Sequence, residues 1–320
     1  MTVTAWVIGG RGLLGGAVSS AIRARGDWKL LDAPPLPWAD DAALPVRAAE
    51  AARALLAAAG DGQWAIIWAA GAAVTASTPE QLDAEAEQLT VILRAIGGEL
   101  GDAGARGAVF YASSAGGIYG GAARPPFTEA TAPASISPYG TFKLRAEGLI
   151  TEFAKAHGLS SALGRIANLY GPGQKLEKMQ GLISQIARAQ FSTTPAAIYV
   201  SLDTVRDYIY VSDCAALVCD FVARVLRTAS VEGPTHVTKI LATGQGVTIG
   251  ALLGHFKALS KSNPHVRLGS SPASSLQAHD LRLRSVVWPE LDQRQLVPLP
   301  AGIHSTMQAI LTRLQETSRP

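Results

Sequence analysis

The chain has 320 residues and a formal net charge of +3, with 48% hydrophobic and 17% charged residues. This composition excludes a disordered chain, and the small charge without a long Lys/Arg run argues against nucleic acid or an anionic membrane as a partner. The chain is longer than one compact core usually needs, so we expect one large domain and a smaller lobe.

Short apolar runs alternate with helical patterns in the first half of the chain. This alternation is typical of βαβ units, and nearly all-apolar strands are typical of a parallel sheet covered on both faces. The predicted strands are Val3–Ile8, Trp28–Leu31, Ala65–Ala69, Ala108–Ala112 and Ser161–Ile166. The predicted helices are Leu13–Arg25, Ala42–Ala59, Pro79–Leu100 and a helix from Pro138 towards His157. The pattern predicts an α/β fold, a Rossmann-type doubly wound parallel sheet.

The regular alternation of strand and helix patterns ends after Asn168, and the turn cluster Tyr170-Gly171-Pro172-Gly173 follows. Shorter elements and Pro/Ser-rich connections follow it. We therefore predict a Rossmann domain over residues 1–170 and a smaller, interleaved C-terminal lobe over most of residues 171–320. The boundary stays open, because residues 202–242, with apolar runs at Val205–Leu226 and Val237–Leu241, can return to the main sheet.

The two cysteines, Cys214 and Cys219, lie five residues apart in an apolar run of helical pattern. That spacing does not suit a disulfide, and neither cysteine has a metal-type spacing with a histidine, so we predict no metal site. We expect two buried thiols in a reducing cytoplasm. The start of the chain does not resemble a signal peptide, and the longest apolar stretch, Trp64–Val74, is too short to cross a bilayer.

A glycine-rich loop joins the first predicted strand to the first predicted helix: Gly9-Gly10-Arg11-Gly12-Leu13-Leu14-Gly15. Glycines here let the backbone turn tightly and approach a pyrophosphate, and the helix N-terminus that follows favours negative charge. A plain strand-to-helix turn is the alternative, but both flanks that a dinucleotide site requires are present. We therefore predict that residues 1–170 bind NAD or NADP.

Two residues give opposite indications about the cofactor. Asp32 follows the second strand, 22 residues after Gly10, where a carboxylate binds the ribose hydroxyls of NAD. Arg11 lies in the glycine loop, where a guanidinium suits the 2′-phosphate of NADP. A turn residue and a solvated cation are the alternative interpretations. The sequence leaves NAD and NADP open, with a slight preference for NADP.

Tyr139 and Lys143 are four residues apart on a predicted helix, so both side chains lie on one face. A phenol has a pKa near 10, and an adjacent cation lowers such a value by roughly one to three units. The pair would let Tyr139 exchange a proton with an alcohol or ketone while hydride moves at the neighbouring carbon.

Ser113 and Ser114 follow the strand Ala108–Ala112, at the edge of the sheet where ligands bind in open α/β folds. A hydroxyl there can bind the same oxygen that Tyr139 protonates, although a turn cap is the alternative interpretation. Taken with the glycine loop and the Tyr–Lys pair, in this order, the motifs favour hydride chemistry with a Ser–Tyr–Lys set.

The motifs resemble those of the extended short-chain dehydrogenases/reductases, in particular the nucleotide-sugar branch of the NAD-dependent epimerase/dehydratase family. The resemblance runs from Val3 to about Leu226. It also rests on the strings Trp68-Ala69-Ala70-Gly71, Ser113-Ser114 with Ile118-Tyr119-Gly120, Arg165-Ile166-Ala167-Asn168-Leu169-Tyr170-Gly171-Pro172-Gly173-Gln174 and Arg206-Asp207-Tyr208-Ile209-Tyr210-Val211-Ser212-Asp213.

The resemblance implies redox chemistry at a sugar carbon, expected to be C4, of a nucleotide-diphosphate sugar. The implied catalytic residues are Ser114, Tyr139 and Lys143. The implied cofactor residues are the glycine loop, Asp32, Ala69, Ala70, Gly71, Tyr139 and Lys143. The implied substrate residues are Ser114, Asn168 and Arg206, the last two towards the diphosphate. The smaller lobe would then be the substrate lobe.

Two departures from the family pattern bear on the reaction. Dehydratases of this group carry an Asp-Glu pair directly after the catalytic hydroxyl, and here Ala115 and Gly116 stand in those places. Neither can move a proton, so we do not expect a 4,6-dehydratase. Glu85 stands where the family usually has an asparagine that braces the active-site lysine through water.

Three functional interpretations stay open at this point. Arg11 favours a reductase that takes NADPH from solution, whereas the overall similarity to epimerases favours an epimerase with a retained cofactor. A redox-sensing Rossmann module without catalysis is the alternative from another class. The expected partner is a nucleotide-diphosphate sugar, and a homodimer is compatible with the sequence.

Overall fold

The computed structural model describes residues 2–174, 181–269 and 278–317. The strands are β1 Val3–Ile8, β2 Trp28–Leu30, β3 Gln63–Trp68, β4 Gly107–Ser114, β5 Ser160–Ile166, β6 Asn168–Tyr170, β7 Ala196–Ile198, β8 Val205–Tyr210, β9 His236–Leu241, β10 Gly246–Thr248 and β11 Val266–Leu268. The helices are α1 Leu13–Arg23, α2 Ala43–Ala59, α3 Pro79–Leu100, α4 Ala115–Tyr119, α5 Pro138–Ala156, α6 Leu182–Ala189, α7 Val211–Glu232, α8 Ile249–Ser260 and α9 Leu299–Thr317.

The central sheet has six parallel strands in the order β2–β1–β3–β4–β5–β9. After β2 the chain crosses to β3 on the other side of β1, so the winding direction reverses between β1 and β3. In open parallel sheets such a reversal creates a crevice at the carboxyl ends of the strands, where ligands bind. The prediction of a Rossmann-type doubly wound sheet is confirmed.

Both faces of the sheet are covered, because its strands are apolar on both sides. On β3, Trp64, Ile66 and Trp68 lie in one hydrophobic cluster with side chains of α2, α3 and α5. The alternate residues Ala65 and Ile67 lie in the opposite cluster, with α1 and α7. Side chains that alternate between two apolar layers explain why the strand appears in the sequence as an unbroken hydrophobic run.

Part of residues 202–242 joins this sheet and part does not. Strand β9 pairs with β5 as the sixth strand, and α7 covers one face. Strand β8 instead pairs with β6 and β10 in a separate three-stranded sheet. The open edge of β5 is occupied by β9, so β8 finds its partner in β6, immediately after β5 in the chain.

The C-terminal lobe has a core of its own. Helices α6, α8 and α9 surround a cluster that includes Tyr170, Ile186, Phe256 and Ile303. A two-stranded sheet of β7 and β11 lies beside α6. The lobe is interleaved with the central sheet, because α7 and β9 come between α6 and α8 in the chain.

Candidate active site

The glycine loop forms a turn that only glycine allows at two positions. Gly9 has φ +91°, and a Cβ at this residue would lie 2.6 Å from the Ala70 nitrogen. A Cβ at Gly15 would collide with the Gly9 carbonyl oxygen. The Gly12 N–H donates to the Gly9 oxygen at 2.8 Å, and Gly12 is the N-cap residue of α1. The turn therefore brings the N-terminus of α1 to the carboxyl end of β1.

The loop after β3 lies against this turn. The Ala69 N–H donates to the Ile8 oxygen at 2.9 Å, so Ala69, Ala70 and Gly71 lie beside Gly9 at the same sheet edge. On α3, the half-buried Glu85 carboxylate accepts hydrogen bonds from the next two residues, Ala72 N at 2.9 Å and Ala73 N at 2.8 Å. Glu85 thus holds the backbone of the loop that is predicted to line the cofactor.

Arg11 and Asp32 both have exposed side chains. Arg11 follows β1 and Asp32 follows β2, and these two strands are neighbours in the sheet. Both residues therefore lie at the edge formed by the carboxyl ends of the strands. The predicted contact of either side chain with the adenosine ribose of the cofactor requires this position.

Ser114, Tyr139 and Lys143 come together at the end of β4. Ser114 is the last residue of β4, and its Oγ accepts a hydrogen bond from Gly117 N at 3.2 Å as the N-cap of α4. The Tyr139 ring lies against Gly117, because a Cβ there would be 3.1 Å from the ring carbons. The Lys143 Nζ lies 5.7 Å from the centroid of the Tyr139 ring. The cap interpretation and the catalytic interpretation of Ser114 are compatible, because its hydroxyl caps at Gly117, the residue against which the Tyr139 ring packs.

Lys143 is buried on α5 and its ammonium is held by β4. The Nζ donates to Tyr111 Oη at 3.1 Å and to the Ala112 oxygen at 3.3 Å. Burial by itself lowers the pKa of a lysine, but the Tyr111 and Tyr139 phenols and Glu85 favour the charged form, so the pKa of Lys143 is raised. Tyr111 was not predicted as a site residue, although strand alternation places it on the same side of β4 as Ser113, the neighbour of Ser114.

A buried ion pair joins helix α5 to the sheet. Arg165 on β5 donates through Nε and Nη2 to both carboxylate oxygens of Glu147 on α5, at 3.0 and 2.8 Å. Its Nη1 donates to the Tyr119 hydroxyl on α4 at 2.7 Å. Burial opposes the charge, but Glu147 raises the pKa of Arg165. These three residues connect α4, α5 and β5 directly behind the Ser114–Tyr139 region.

Asn168 and Arg206 lie on neighbouring strands of the three-stranded sheet, β6 and β8. Asn168 is exposed and its Nδ2 donates to the Asp207 oxygen at 2.9 Å. Arg206 is buried, its Nη1 donates to the oxygens of Val205 at 2.9 Å and His279 at 3.3 Å, and burial lowers its pKa. The structure therefore brings Asn168 and Arg206 to one sheet, and each side chain donates a hydrogen bond to a backbone carbonyl of the protein.

In residues 2–174, 181–269 and 278–317, no helix is long and apolar enough to cross a membrane. Within the same ranges, no group of three or more His, Cys, Asp or Glu side chains could hold a metal ion.

The chain is similar to proteins that act on nucleotide sugars. Among curated relatives, a dTDP-4-dehydro-6-deoxyglucose reductase of Escherichia coli is 28% identical over 205 residues, 63% of this chain and 61% of that protein. A dTDP-glucose 4,6-dehydratase of Salmonella typhimurium is 35% identical over 91 residues, 28% of this chain and 24% of that protein. The chain thus spans less than two thirds of each relative.

Solved structures with the same fold match nearly the whole chain. The UDP-glucose 4-epimerase of Thermotoga maritima with UDP-glucose has a TM-score of 0.74 at 20% identity, covering 98% of this chain and 100% of that one. RMD from Pseudomonas aeruginosa complexed with NADPH has a TM-score of 0.76 at 20% identity, covering 97% and 99%. The sequence profile of the NAD dependent epimerase/dehydratase family matches residues 5–239. The chain belongs to the NAD-dependent epimerase/dehydratase family, within the extended short-chain dehydrogenases/reductases.

Proposed function

We propose that the protein is an NAD(P)-dependent oxidoreductase or epimerase that acts at C4 of the sugar of a nucleotide-diphosphate sugar. The observation that carries this proposal is the meeting of Ser114, Tyr139 and Lys143 at the carboxyl end of β4, next to the glycine turn. A hydroxyl, a phenol and a buried ammonium at that edge are the groups that alcohol–ketone interconversion with a nicotinamide requires.

Each residue of the set has one task in this proposal. Tyr139 takes the proton of the sugar hydroxyl during oxidation and returns it to the ketone oxygen during reduction. Ser114 binds the same oxygen through its hydroxyl. Lys143 keeps a positive charge beside the phenol and binds the cofactor ribose. The nicotinamide, when bound, accepts or supplies the hydride.

The cofactor would lie along the strand ends from β2 to β4. The Gly9–Gly15 turn and the N-terminus of α1 suit its pyrophosphate, because backbone N–H groups and the helix dipole favour an anion. Ala69, Ala70 and Gly71 line the next position. Exposed Arg11 suits a 2′-phosphate and exposed Asp32 suits the free hydroxyls. We retain a slight preference for NADP.

The residues after Ser114 support a reductase or epimerase rather than a 4,6-dehydratase. Ala115 is fully buried in α4, and Gly116 has no side chain, so neither can take up or deliver a proton. The similarity to the curated dehydratase covers 28% of this chain. The similarity to the reductase covers 63% of this chain.

The diphosphate of the substrate would lie near Asn168 and Arg206, since a cation and an amide suit phosphate oxygens. The position of β6 directly after β5 supports this placement, because it brings Asn168 close to the strand ends. A homodimer and a cytoplasmic location stay predictions.

The test is a panel of two reactions with the purified chain. Reduction of dTDP-4-dehydro-6-deoxyglucose is followed by the loss of NADH or NADPH absorbance, and epimerisation of UDP-glucose by chromatography. Turnover in either reaction should fall at least a hundredfold in Tyr139→Phe, because general acid–base catalysis contributes about 10²–10⁴-fold. Dinucleotide binding should be nearly unchanged.

A Tyr139→Phe variant that keeps more than about a tenth of the wild-type rate would contradict the assignment. Tight dinucleotide binding without turnover of either sugar nucleotide would favour the redox-sensing module instead.

A further inference from the structure

We propose that Tyr111 is a positioning residue for Lys143, whose phenol holds the lysine ammonium beside Tyr139. The inference rests on the proposed function, because Lys143 acts there on the cofactor and on Tyr139. It adds a fourth side chain to the Ser114–Tyr139–Lys143 set.

Tyr111 is a rigid partner. It lies on β4, only 1% exposed, within the hydrophobic cluster that also contains Trp68 and Phe142. Its hydroxyl accepts from Lys143 Nζ at 3.1 Å, and the same Nζ lies 4.9 Å from the centroid of the Tyr111 ring. A side chain packed on all sides cannot follow the ammonium if the ammonium moves, so it defines where the ammonium lies.

Lysine has a flexible four-carbon stem, and its three N–H donors rotate freely unless they are bound. Here Tyr111 and the Ala112 carbonyl engage two donors from the same strand. No other acceptor for the ammonium lies among the described residues, so the third donor can bind a ribose hydroxyl of the cofactor. Strand β4 therefore supplies both the reactive hydroxyl, Ser114, and the support for the lysine.

The charge of Lys143 depends on the same neighbours. The groups that face it are the Tyr111 phenol and Ala112 carbonyl on β4, the Tyr139 phenol on α5 and the Glu85 carboxylate on α3. Burial favours the neutral amine, and these groups oppose it. Burial also raises the pKa of Tyr111, so its phenol stays protonated and accepts the bond as a neutral group. Without the phenol, less opposes the effect of burial, so the pKa of Lys143 falls and the ammonium loses its proton at a lower pH.

The experiment compares Tyr111→Phe with the matched control Tyr119→Phe. Tyr119 is also fully buried and its hydroxyl also accepts from a cation, Arg165, at 2.7 Å. Both variants lose one phenol–cation hydrogen bond and keep the ring. NADH is titrated by fluorescence into each protein between pH 7 and 10, with NADPH as a repeat.

In Tyr111→Phe, NADH affinity should fall about tenfold at pH 7. A tenfold loss corresponds to weakening one charge-assisted hydrogen bond, here the bond between the misplaced ammonium and the cofactor ribose. Between pH 7 and 10 the wild-type affinity should stay constant, because the pKa of Lys143 is raised, whereas the affinity of Tyr111→Phe should decline towards pH 10. Tyr119→Phe can lower thermal stability, but its pH profile of NADH binding should match that of the wild type. A Lys143→Met background provides a second measurement, because Tyr111→Phe should cost nothing more once the ammonium is gone.

The outcomes separate the two proposals. If the wild type binds NADH and Tyr111→Phe matches it in affinity and pH profile, Tyr111 has only a structural role and the inference fails alone. An equal additional loss in the Lys143→Met background also overturns it. If the wild type binds neither dinucleotide, the proposed function fails and the inference fails with it.

Discussion

Glu147→Gln removes one partner of the buried ion pair that attaches helix α5, which carries Tyr139 and Lys143, to the sheet. The Arg165 and Glu147 side chains are only 9% and 7% exposed, so water cannot replace the lost charge. Glutamine has nearly the shape of glutamate but offers one acceptor oxygen where the guanidinium now binds two, at 3.0 and 2.8 Å. The variant therefore leaves a buried cation only partly compensated.

The cost of breaking such a pair is about 3–5 kcal/mol, because the remaining charge stays buried. Since glutamine keeps one hydrogen bond and Tyr119 keeps another, we expect the lower end, about 3 kcal/mol. A domain of 150–250 residues loses ~2–4 °C per kcal/mol, and this chain is longer. The midpoint of thermal unfolding should thus fall by roughly 6 °C.

The assay is thermal unfolding followed by circular dichroism at pH 7, with Glu152→Gln as the control. Glu152 lies on the same helix and is exposed, so the same chemical change there should alter the midpoint by less than 1–2 °C, in line with the small effect of surface charges. The double variant Glu147→Leu/Arg165→Met should recover much of the lost stability, because no charge is then left unpaired. If Glu147→Gln and Glu152→Gln have the same midpoint, the ion pair does not stabilise α5 as described.

Three further predictions concern the cofactor and the sheet of the lobe. Arg11→Ala should weaken the binding of NADPH alone, by roughly 1–2 kcal/mol for a partly exposed charged bond, and Asp32→Ala should weaken the binding of NADH alone. If titrations of both variants with NADH and NADPH leave the ratio of the two affinities unchanged, the adenosine ribose binds elsewhere. Glu85→Ala should raise the Kd of NADH about tenfold, because the N–H groups of two loop residues lose their acceptor. Glu85→Gln keeps an acceptor oxygen, so its NADH affinity should fall less. Wild-type affinity of Glu85→Ala in calorimetry would refute this prediction. Burial raises the pKa of Asp207 from 3.8 to about 6, so its stabilising contribution is full below about pH 4 and is lost as the pH rises through 6. Between pH 4 and 7 the wild type should therefore lose about 3 kcal/mol relative to Asp207→Asn, measured by urea unfolding, and parallel pH profiles would refute the assignment.

The amino-acid pattern by itself determined the strands and helices of the Rossmann-type sheet and the glycine turn at the carboxyl end of β1. Strand β1 and helix α3 have the predicted bounds, Val3–Ile8 and Pro79–Leu100, and the other predicted elements differ by one or two residues at their ends. Strands buried on both faces, such as β1 and β3, are apolar along nearly their whole length, and the positive φ of Gly9 favours glycine. These are local requirements, so the sequence shows them directly. The same holds for Tyr139 and Lys143, because four residues of helix place them on one face.

Tertiary structure alone decided the partners of these elements. Nothing in Val205–Tyr210 indicates that it leaves the central sheet for β6, because strand order depends on which edge is already occupied. The contact of Lys143 with Tyr111 joins residues 32 positions apart, and that of Arg165 with Tyr119 joins residues 46 apart. Such pairs form only when parallel strands and their covering helices align in register. The sequence can therefore name candidate reactive side chains, whereas the side chains that contact them appear only in the folded chain.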